Sequence, residues 1–502
     1  MAASRARAIL ALISLITAGA TAQLSGPYTV GPAGNYATLT LALADLQANG
    51  VAGPVQFSVQ ANQTGPWVLN AFTGQGAANP VVINGSGAIT LSGSLPLITL
   101  NGCSHVTFDG FSAAMALGTG VVIQGATSNC VFHACSFSMP VTGSGSTNTV
   151  YSATGGTSCR IEDSTFGGGY EAFNFGACDS FTVQRCRIQG GGFWVCEVTA
   201  TNLTFKNNFV WGTSNYGFRA GLGSANLKIH NNSFHIVHPT AGGQFCSLRW
   251  YSASPSEVFN NAFHEVQVAT NGYVMWCSGA LKPTVMANNA YHIVNGLGVV
   301  YWSAASYQLA AWQGAGNDAS SIQADPLFTN LVSTPPDLHL QNGSPCEGAG
   351  MTIATVTDDI DGTPRIQPYD IGAHEKSAFN NLSLLTGGGG LGDLTLSLTM
   401  IDPSAVEGLM LLSSYTLLSV GSGPVFGLWP DGLTWAFINT PLGPGNPLHF
   451  PLVPAFVFPY VPLAAPPGTL SILAGQVWDV VAVMLGPGTT YVGQSNIVRV
   501  AW

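Results

Sequence analysis

A phrase with two adjacent asparagines recurs four times between residues 204 and 294, and it constrains the fold more than any other feature of the chain. Its copies read FKNNFV, IHNNSFH, VFNNAFH and MANNAYH, and the steps between the second asparagines are 24, 29 and 28 residues. Repeats of this length are typical of stacked structural units. The pattern therefore predicts consecutive turns of one solenoid. The second asparagines, called the ladder asparagines below, are Asn208, Asn232, Asn261 and Asn289.

The ladder position continues backwards through earlier runs in which apolar and polar residues alternate as in β-strands. Its steps vary from 22 to 29 residues, as expected for a coil of three short strands with loops inserted at some corners. With strands about 4.8 Å apart, ten such rungs make a rod of about 45 Å. Because asparagine and glycine tolerate left-handed backbone, we expect this position to form a sharp corner, with stacked amides hydrogen-bonded along the rod. The earlier members are Asn62, Gly85, Gly110, Cys135, Ser164 and Cys186.

The first 22 residues have the layout of a secretory signal peptide. Arg5 and Arg7 precede an apolar run over residues 8–18, and small residues at 20–22 follow it. The run is shorter than the roughly 20 residues that span a bilayer, which disfavours a membrane helix. No later run is long enough to span. We therefore expect a secreted, extracellular protein, either free or associated with the cell surface.

The amino-acid composition argues against one class of binding partner, nucleic acids. Only 7% of residues are charged and the formal net charge is −10, which argues against nucleic-acid binding driven by counterion release. The ten cysteines fall inside the repeats, and Cys135 and Cys186 occupy the ladder position itself. Buried cysteine packs as a small apolar residue. Stacked core thiols are thus favoured, with disulfides as the alternative in a secreted protein.

Sequence patterns at both ends of the repeat region predict additional structural elements. Residues 38–47 place Leu39, Leu43 and Leu46 on one helical face, which predicts a helix that covers the open edge of the first rung. Gly387 to Gly390 form a glycine run, after which short apolar segments separated by turn residues predict a β-sandwich for attachment, sorting or carbohydrate binding. The predicted organisation is a signal peptide at 1–22, a parallel β-helix at 23–380, a glycine-rich linker at 381–390 and a β-sandwich at 391–502.

The end of the repeat region carries a distinctive set of motifs. They are ADPLF from Ala324, DLHL from Asp337, GSPC from Gly343, DIDGTPR from Asp359 and DIGAHE from Asp370. Together they resemble the C-terminal segment of secreted bacterial right-handed parallel β-helix proteins of the pectate-lyase-like superfamily, in particular the choice-of-anchor Q group. The resemblance covers residues 27–375. It implies an all-β, right-handed coil and a secreted setting, and no particular activity.

Arginine and aromatic residues recur on the third strand of successive rungs, where β-helix lyases and hydrolases bind substrate on an outward face. A guanidinium can pair with the carboxylate of a uronate while an aromatic ring stacks on the sugar. The alternative is that the arginines aid solubility and the rings pack under loops. The candidate ligand-binding residues are Glu197, Arg219, Arg249, Trp250 and Trp276.

His235, His264 and His292 share one repeat position on successive rungs. Neighbouring strands bring such imidazoles within about 5 Å, which is close enough for a metal to bridge two of them. Trp211 holds the position one rung earlier, so simple ring stacking is favoured and no cofactor is predicted. Calcium would need converging acids, and the dense clusters at 162–163 and 358–361 lie at a corner and in the terminal motif, where pairing with Arg365 is expected.

The predicted function is binding of extracellular polysaccharide or another cell-surface component. Two alternatives stay open, a polysaccharide lyase or glycoside hydrolase and a structural stalk or surface-layer component. The central rungs lack the paired aspartates and the Gly-His-Gly of polygalacturonases of this fold, which makes an enzyme the less favoured interpretation. No catalytic residue is identified, and the sequence indicates no oligomeric state.

Overall fold

The structure is a computed structural model, and it describes residues 23–142, 148–212, 216–238, 245–267, 272–341, 343–365, 367–376, 381–387, 391–399, 401, 405–417, 420, 423–443, 446, 448–452 and 463–502. The predicted signal peptide at 1–22 lies outside the described residues. The chain divides into two compact units, Met1–Leu340 with Ser344–Glu375 and Gln341–Gly343 with Lys376–Trp502. No helix in the described ranges is long and apolar enough to cross a membrane.

The first unit is a parallel β-solenoid of about ten turns, which confirms the predicted fold class. Three strands per turn build three parallel sheets, and the first two sheets are continuous through the long strands Val81–Ser92 and Val106–Ala114. Apart from these two, the first sheet contains Leu24–Val30, Val51–Val59, Val131–His133, Arg160–Glu162, Thr182–Gln184, Thr204–Lys206, Leu227–His230, Ser256–Phe259 and Val285–Ala287.

The second and third sheets complete each turn. The second contains Gln63–Thr64, Ser136–Val141, Thr165–Gly169, Arg187–Gln189, Phe209–Gly212, Ser233–Val237, Ala262–Val266, Ala290–Val294 and Ile322–Gln323. The third contains Trp67–Asn70, Ile98–Asn101, Thr119–Gln124, Thr149–Ala153, Glu171–Phe175, Trp194–Val198, Tyr216–Ala220, Cys246–Trp250, Tyr273–Cys277 and Gly298–Trp302, with the antiparallel strand Ala305–Tyr307 at its end.

The interior of the solenoid is filled by stacked apolar side chains. Phe234 and Phe263 stack at a centroid distance of 4.9 Å, and Phe263 and Tyr291 stack at 5.5 Å. All ten cysteines are buried free thiols, and the sulfurs of Cys103 and Cys130 lie 4.0 Å apart. The prediction of stacked core thiols is therefore confirmed.

The ladder asparagines form a continuous chain of buried amides. The Nδ2 of Asn208 donates to the Oδ1 of Asn232 at 2.9 Å, that of Asn232 to Asn261 at 2.9 Å, and that of Asn261 to Asn289 at 3.1 Å. Each amide also donates to the main-chain carbonyl three positions before the ladder residue of the preceding rung, and all four asparagines are fully buried. The predicted amide ladder is thus present.

The left-handed corner, however, falls on the first asparagine of each pair and not on the second as expected. The four first residues, called the corner asparagines below, have φ between 51° and 56°. Asparagine suits this conformation because its short polar side chain tolerates positive φ. The two residues of each pair therefore have separate roles, since one turns the chain and the next supplies the ladder. The corner asparagines are Asn207, Asn231, Asn260 and Asn288.

Helices cover both ends of the solenoid. The predicted N-terminal helix spans Leu39–Asn49, begins at the N-cap Thr38, and buries Leu39, Ala42, Leu43 and Leu46. It ends where Gly50 adopts a φ of 71°, a conformation that glycine reaches without steric cost. At the other end the short helix Leu309–Gly314 buries Trp312 completely.

Beyond this helix the chain folds back over the outer face of the second sheet. This return segment, residues 322–340 and 344–375, includes the strands Phe328–Asn330 and Asp337–Leu340 and packs Phe328, Leu338 and Ile371 against Phe209, Trp211 and Ala262. The corner asparagines bind its main chain, because their Nδ2 atoms donate to carbonyl oxygens 2.7–3.3 Å away. The acceptors for Asn207, Asn231, Asn260 and Asn288 are Asp358, Asp370, Met351 and Ala349.

Arg365 secures the return segment in a different way from that expected. Its buried guanidinium pairs with Glu375 at 2.8 Å and donates to the Oδ1 of Asn207 at 2.9 Å. Two of the three acids expected to pair with it bind arginines of the rungs instead, Asp358 with Arg185 at 2.7 Å and Asp361 with Arg187 at 2.8 Å. The third, Asp359, favours the charged form of Arg365 electrostatically. These long-range pairs bring together residues more than 170 positions apart, which no local pattern indicates.

The second unit contains two antiparallel sheets with a shared core, as expected for a β-sandwich. Leu384 and Leu396 of one sheet pack in the same cluster as Met410 and Val480 of the other. The helix Gly432–Ile438 packs on the opposite face of the larger sheet. One sheet contains Asn381–Leu385, Leu394–Thr399 and Leu463–Ala465, and the other Glu407–Ser413, His449–Pro451, Val477–Gly486, Thr490–Gln494 and Val498–Ala501, with 3-10 turns at Ser471–Leu473 and Pro487–Thr489.

The predicted linker at 381–390 is wrong over its first half. Asn381–Leu385 is a strand that pairs with Leu394–Thr399, because the alternating Leu382 and Leu384 enter the shared core. The first unit correspondingly ends at Glu375.

The amide ladder yields a stability prediction. Asn232→Ala should lower the free energy of unfolding by about 3 kcal/mol, because it removes the buried oxygen that accepts from the main-chain N–H and the Nδ2 of Asn208, and it removes one of the two buried donors to the Oδ1 of Asn261. Asn70→Ala is the matched control, since Asn101 donates to Asn70 across neighbouring rungs at 2.9 Å in an exposed position, and it should cost less than about 1 kcal/mol. Chemical denaturation measures both. Equal losses would show that the buried ladder is not a special source of stability.

Candidate functional site

Four of the five predicted ligand-binding residues lie in one outward column of the third sheet. Glu197 is in register with Arg219, Arg219 with Arg249, and Arg249 with Trp276. Tyr301 continues the column on the next strand. The spacing of the repeats thus places these side chains on neighbouring strands, about 4.8 Å apart, on one face.

Trp250 does not belong to this face, and its prediction as a ligand-binding residue is wrong. Its side chain is fully buried in the solenoid core, and its indole Nε1 donates to the carbonyl oxygen of Ser252 at 3.0 Å. Successive residues of a strand point to opposite faces, so Trp250 must face inward if Arg249 faces outward. Its neighbours in register are the core residues Ala220 and Cys277.

A second outward column, which the sequence analysis did not single out, runs beside the first. Glu171, Trp194, Tyr216 and Cys246 are in register on four successive strands. Trp194 and Tyr216 stack with centroids 4.3 Å apart. The repeat spacing could have revealed this column, because Glu171 occupies the same repeat position as Trp194, one rung earlier. The two columns together, with Tyr251, are called the aromatic–arginine strip.

The guanidinium groups of the strip lie against aromatic rings. The Cζ of Arg249 is 4.3 Å from the ring centroid of Tyr216 and 4.8 Å from that of Trp276. The Cζ of Arg219 is 5.1 Å from the ring centroid of Trp194 and 5.0 Å from that of Tyr251. These distances allow cation–π attraction.

The two arginines differ in their access to solvent. Arg249 is only 9% exposed, so the rings enclose its charge. The side chain of Arg219 is 24% exposed and forms an ion pair with Glu197. Arg219 is therefore the cation of the strip that an incoming anion can reach, in exchange for the Glu197 carboxylate.

Glu171 is a buried carboxyl group within the strip. Burial raises its pKa to about 7, against the opposing effects of a 2.7 Å hydrogen bond from the Nδ2 of Asn174 and of the positive charge of Arg219. Desolvation prevails because it disfavours the ionised form. Near neutral pH this group can accept or donate a proton, which is the property of a general acid or base.

The histidine column lies on the second sheet and is separate from the strip. His235, His264 and His292 are in register, and His235 and His264 are nearly buried beneath the return segment. The return segment also places Asp325 beside His292, with 3.9 Å between its Oδ2 and the Nε2 of the histidine. The sequence pattern indicated no carboxylate at this position, because Asp325 comes from outside the repeats.

A shallow open depression on the first sheet is another candidate surface. It is lined by Asn202, Asn226, Lys228 and Glu257, among others, and contains no aromatic residue. Sugar binding usually relies on ring stacking, so this depression fits a saccharide less well than the strip does.

The chain is similar to known proteins in its structure. No protein-family model matches the chain, and no curated protein matches it significantly. Among solved structures, the chain is similar to the pectate lyase Pel9A, with 12% identity, a TM-score of 0.39, and coverage of 71% of this chain and 98% of that chain. It is also similar to an alginate lyase from Paenibacillus sp. str. FPU-7, with 12% identity, a TM-score of 0.35, and coverage of 56% of this chain and 96% of that chain.

The raised pKa of Glu171 predicts a pH-dependent stability. Because the folded pKa of about 7 lies above the reference value of 4.5, the folded state should lose stability as pH rises from about 4.5 to 7. At about 1.4 kcal/mol per pKa unit, the loss is at most about 3 kcal/mol. Glu171→Gln should remove this loss, so that the free energy of unfolding of the variant increases relative to that of the wild type between pH 5 and pH 8.

Denaturation curves at the two pH values measure this difference. The control is Glu347→Gln, which removes an exposed carboxylate elsewhere on the first unit. If Glu171→Gln follows the wild type across this range, Glu171 does not have a raised pKa in the folded state.

Proposed function

We propose that this protein binds acidic polysaccharide along the aromatic–arginine strip. The observation that carries the proposal is the in-register column of Glu197, Arg219, Arg249 and Trp276 on the outer face of the third sheet. A carboxylate of the ligand would pair with the guanidinium of Arg219, while half-buried rings offer their faces to the sugars.

The dimensions of the strip favour a chain over a small molecule. From Asn174 to Tyr301 the column crosses six strands, which is about 24 Å at about 4.8 Å per spacing. Half-buried aromatic residues line this length on both sides of the arginines. They are Tyr170, Phe193, Phe245, Tyr251, Trp276 and Tyr301.

The charges of the strip support an anionic ligand at one place in particular. Arg249 is enclosed by Tyr216 and Trp276, so its charge acts through the rings and not through an open guanidinium. At Arg219 the Glu197 carboxylate occupies the position that a uronate would take. Binding would therefore exchange one carboxylate for another and leave the guanidinium paired throughout. An extracellular setting is part of this proposal, and it rests on the predicted signal peptide at 1–22.

Cleavage of the bound polysaccharide is a second candidate function, and Glu171 is the observation that favours it. In a β-elimination, ionised Glu171 would remove the proton on the carbon next to the uronate carboxylate, whose charge Arg219 would neutralise. The electron pair of the broken C–H bond would form a carbon–carbon double bond as the bond from the sugar to the glycosidic oxygen breaks. The carboxyl group of Glu171, now protonated, would give its proton to the leaving oxygen. A carboxyl group with a pKa of about 7 has the proton affinity for both transfers.

The binding proposal predicts a selective loss of affinity in strip variants. Arg219→Gln and Trp276→Ala should each weaken binding of polygalacturonate or alginate oligosaccharides by about tenfold, because one removes a charge-assisted hydrogen bond and the other a stacking surface. Lys228→Gln is the control, since it removes an exposed positive charge from the first sheet. Calorimetry on the mature protein measures these affinities. The proposal fails if the intact protein binds no acidic polysaccharide at micromolar concentration, which would favour the structural-stalk alternative.

The cleavage hypothesis predicts the ultraviolet absorbance of an unsaturated uronate when the protein is incubated with a polyuronate. The rate should increase as pH rises through about 7, because Glu171 must be ionised, and Glu171→Gln should lower it at least about a hundredfold. Glu347→Gln should leave the rate unchanged. Binding without any such absorbance, at pH values from 6 to 9, would rule out cleavage by elimination while leaving the binding proposal intact.

A further inference from the structure

A compact group of metal-binding side chains lies where the return segment crosses the second sheet. One ligand atom each from His264, His292 and Asp325 can be chosen so that all three lie within 4.8 Å of one another. The ring centroids of His264 and His292 are 4.9 Å apart on neighbouring strands. The group joins two parts of the chain, because Asp325 follows the final strand Ile322–Gln323, which pairs with Ala290 and Tyr291.

The group is closed to solvent on the side of His264 and open on the side of His292 and Asp325. His264 is 7% exposed and lies near the ring of Phe328, at 6.5 Å between centroids. The side chains of His292 and Asp325 are 29% and 42% exposed, respectively. An ion can therefore approach from the side of Asp325, while water and other ligands are kept from the inner imidazole.

His235 adds a contact that orients the inner ligand. Its Nδ1 lies 3.1 Å from the Nδ1 of His264, so one of these two nitrogens carries a proton that the other accepts. When His264 is the donor, its Nε2 has a free lone pair and can bind a metal. A hydrogen bond at the second nitrogen is the common way in which a ligating histidine is fixed in tautomer and orientation.

The ligand types of the group suit a divalent cation. His264 and His292 each offer an imidazole nitrogen, and Asp325 offers a carboxylate oxygen. Metal binding requires neutral imidazoles and an ionised carboxylate. The group thus brings two nitrogen donors and one carboxylate together where the return segment meets the second sheet.

Ring stacking alone was the interpretation favoured by the sequence, since Trp211 precedes the histidines in the column. Stacking explains the imidazoles but gives no reason for a carboxylate beside them. The ligand set also selects the class of metal. Two nitrogens and one oxygen fit zinc and similar transition metals, whereas calcium takes six to eight oxygens.

We propose that His264, His292 and Asp325 bind a zinc-class divalent metal ion, with His235 as a positioning residue. A solvent molecule would complete the coordination on the exposed side. The ion would fasten the start of the return segment to the last rungs of the solenoid. This proposal is independent of the polysaccharide proposal, because it concerns another sheet and other residues.

The test uses the mature full-length protein after treatment with EDTA and removal of the chelator. Calorimetric titration with Zn²⁺ should show one equivalent bound, and thermal unfolding should occur at higher temperature with Zn²⁺ than without. Asp325→Asn should weaken Zn²⁺ binding by about tenfold or more and abolish the thermal shift. This variant keeps the acceptor for the main-chain N–H of Leu327, so the local turn is preserved.

Two further variants separate the site from adventitious binding. His235→Gln should weaken Zn²⁺ binding by about tenfold, as a positioning residue would. His133→Gln, which alters a half-exposed histidine paired with Asp109 on the first sheet, should leave both the affinity and the thermal shift unchanged. The proposal is overturned if the treated protein binds no Zn²⁺, or if folded Asp325→Asn and His292→Gln proteins bind it as the wild type does.

Discussion

The chain of buried amides through the ladder asparagines is the interaction on which the rest of the first unit depends. A primary amide in a dry interior must satisfy both its donors and its acceptor, and each ladder asparagine does so with neighbouring rungs. A rung displaced along its strand would leave these groups buried without partners. The ladder therefore fixes the register of the four rungs that it joins, and fixed register is what converts recurring residues into columns on the outer faces.

The aromatic–arginine strip shows how two like charges can occupy neighbouring rungs. Arg219 and Arg249 are paired in register, a spacing at which exposed guanidinium groups repel. Tyr251 lies within 5.3 Å of both guanidinium carbons, measured to its ring centroid, and Glu197 balances the outer arginine. The aromatic rings and the Glu197 carboxylate together offset the repulsion between the two arginines.

The sequence predicted those features that repeat and missed those that depend on distant contacts. The ladder, the core stacks and the column of Glu197, Arg219 and Arg249 follow from period and spacing. Trp250 was misplaced because two adjacent residues of one strand were assigned to one face, although alternation alone rules this out. Asp325 could not be foreseen beside His292, because the position of the return segment is set by packing and not by the repeat.

The corner asparagines give the first unit a direction of assembly. Their amides reach carbonyls of the return segment between Ala349 and Asp370, and Arg365 reaches back to Asn207. Hydrogen bonds between rungs mostly join neighbouring turns, whereas the bonds to the return segment join residues 61 to 158 positions apart. A chain emerging from the ribosome can stack its rungs one after another. The contacts between these rungs and the return segment can be completed only after residue 375 has been synthesised.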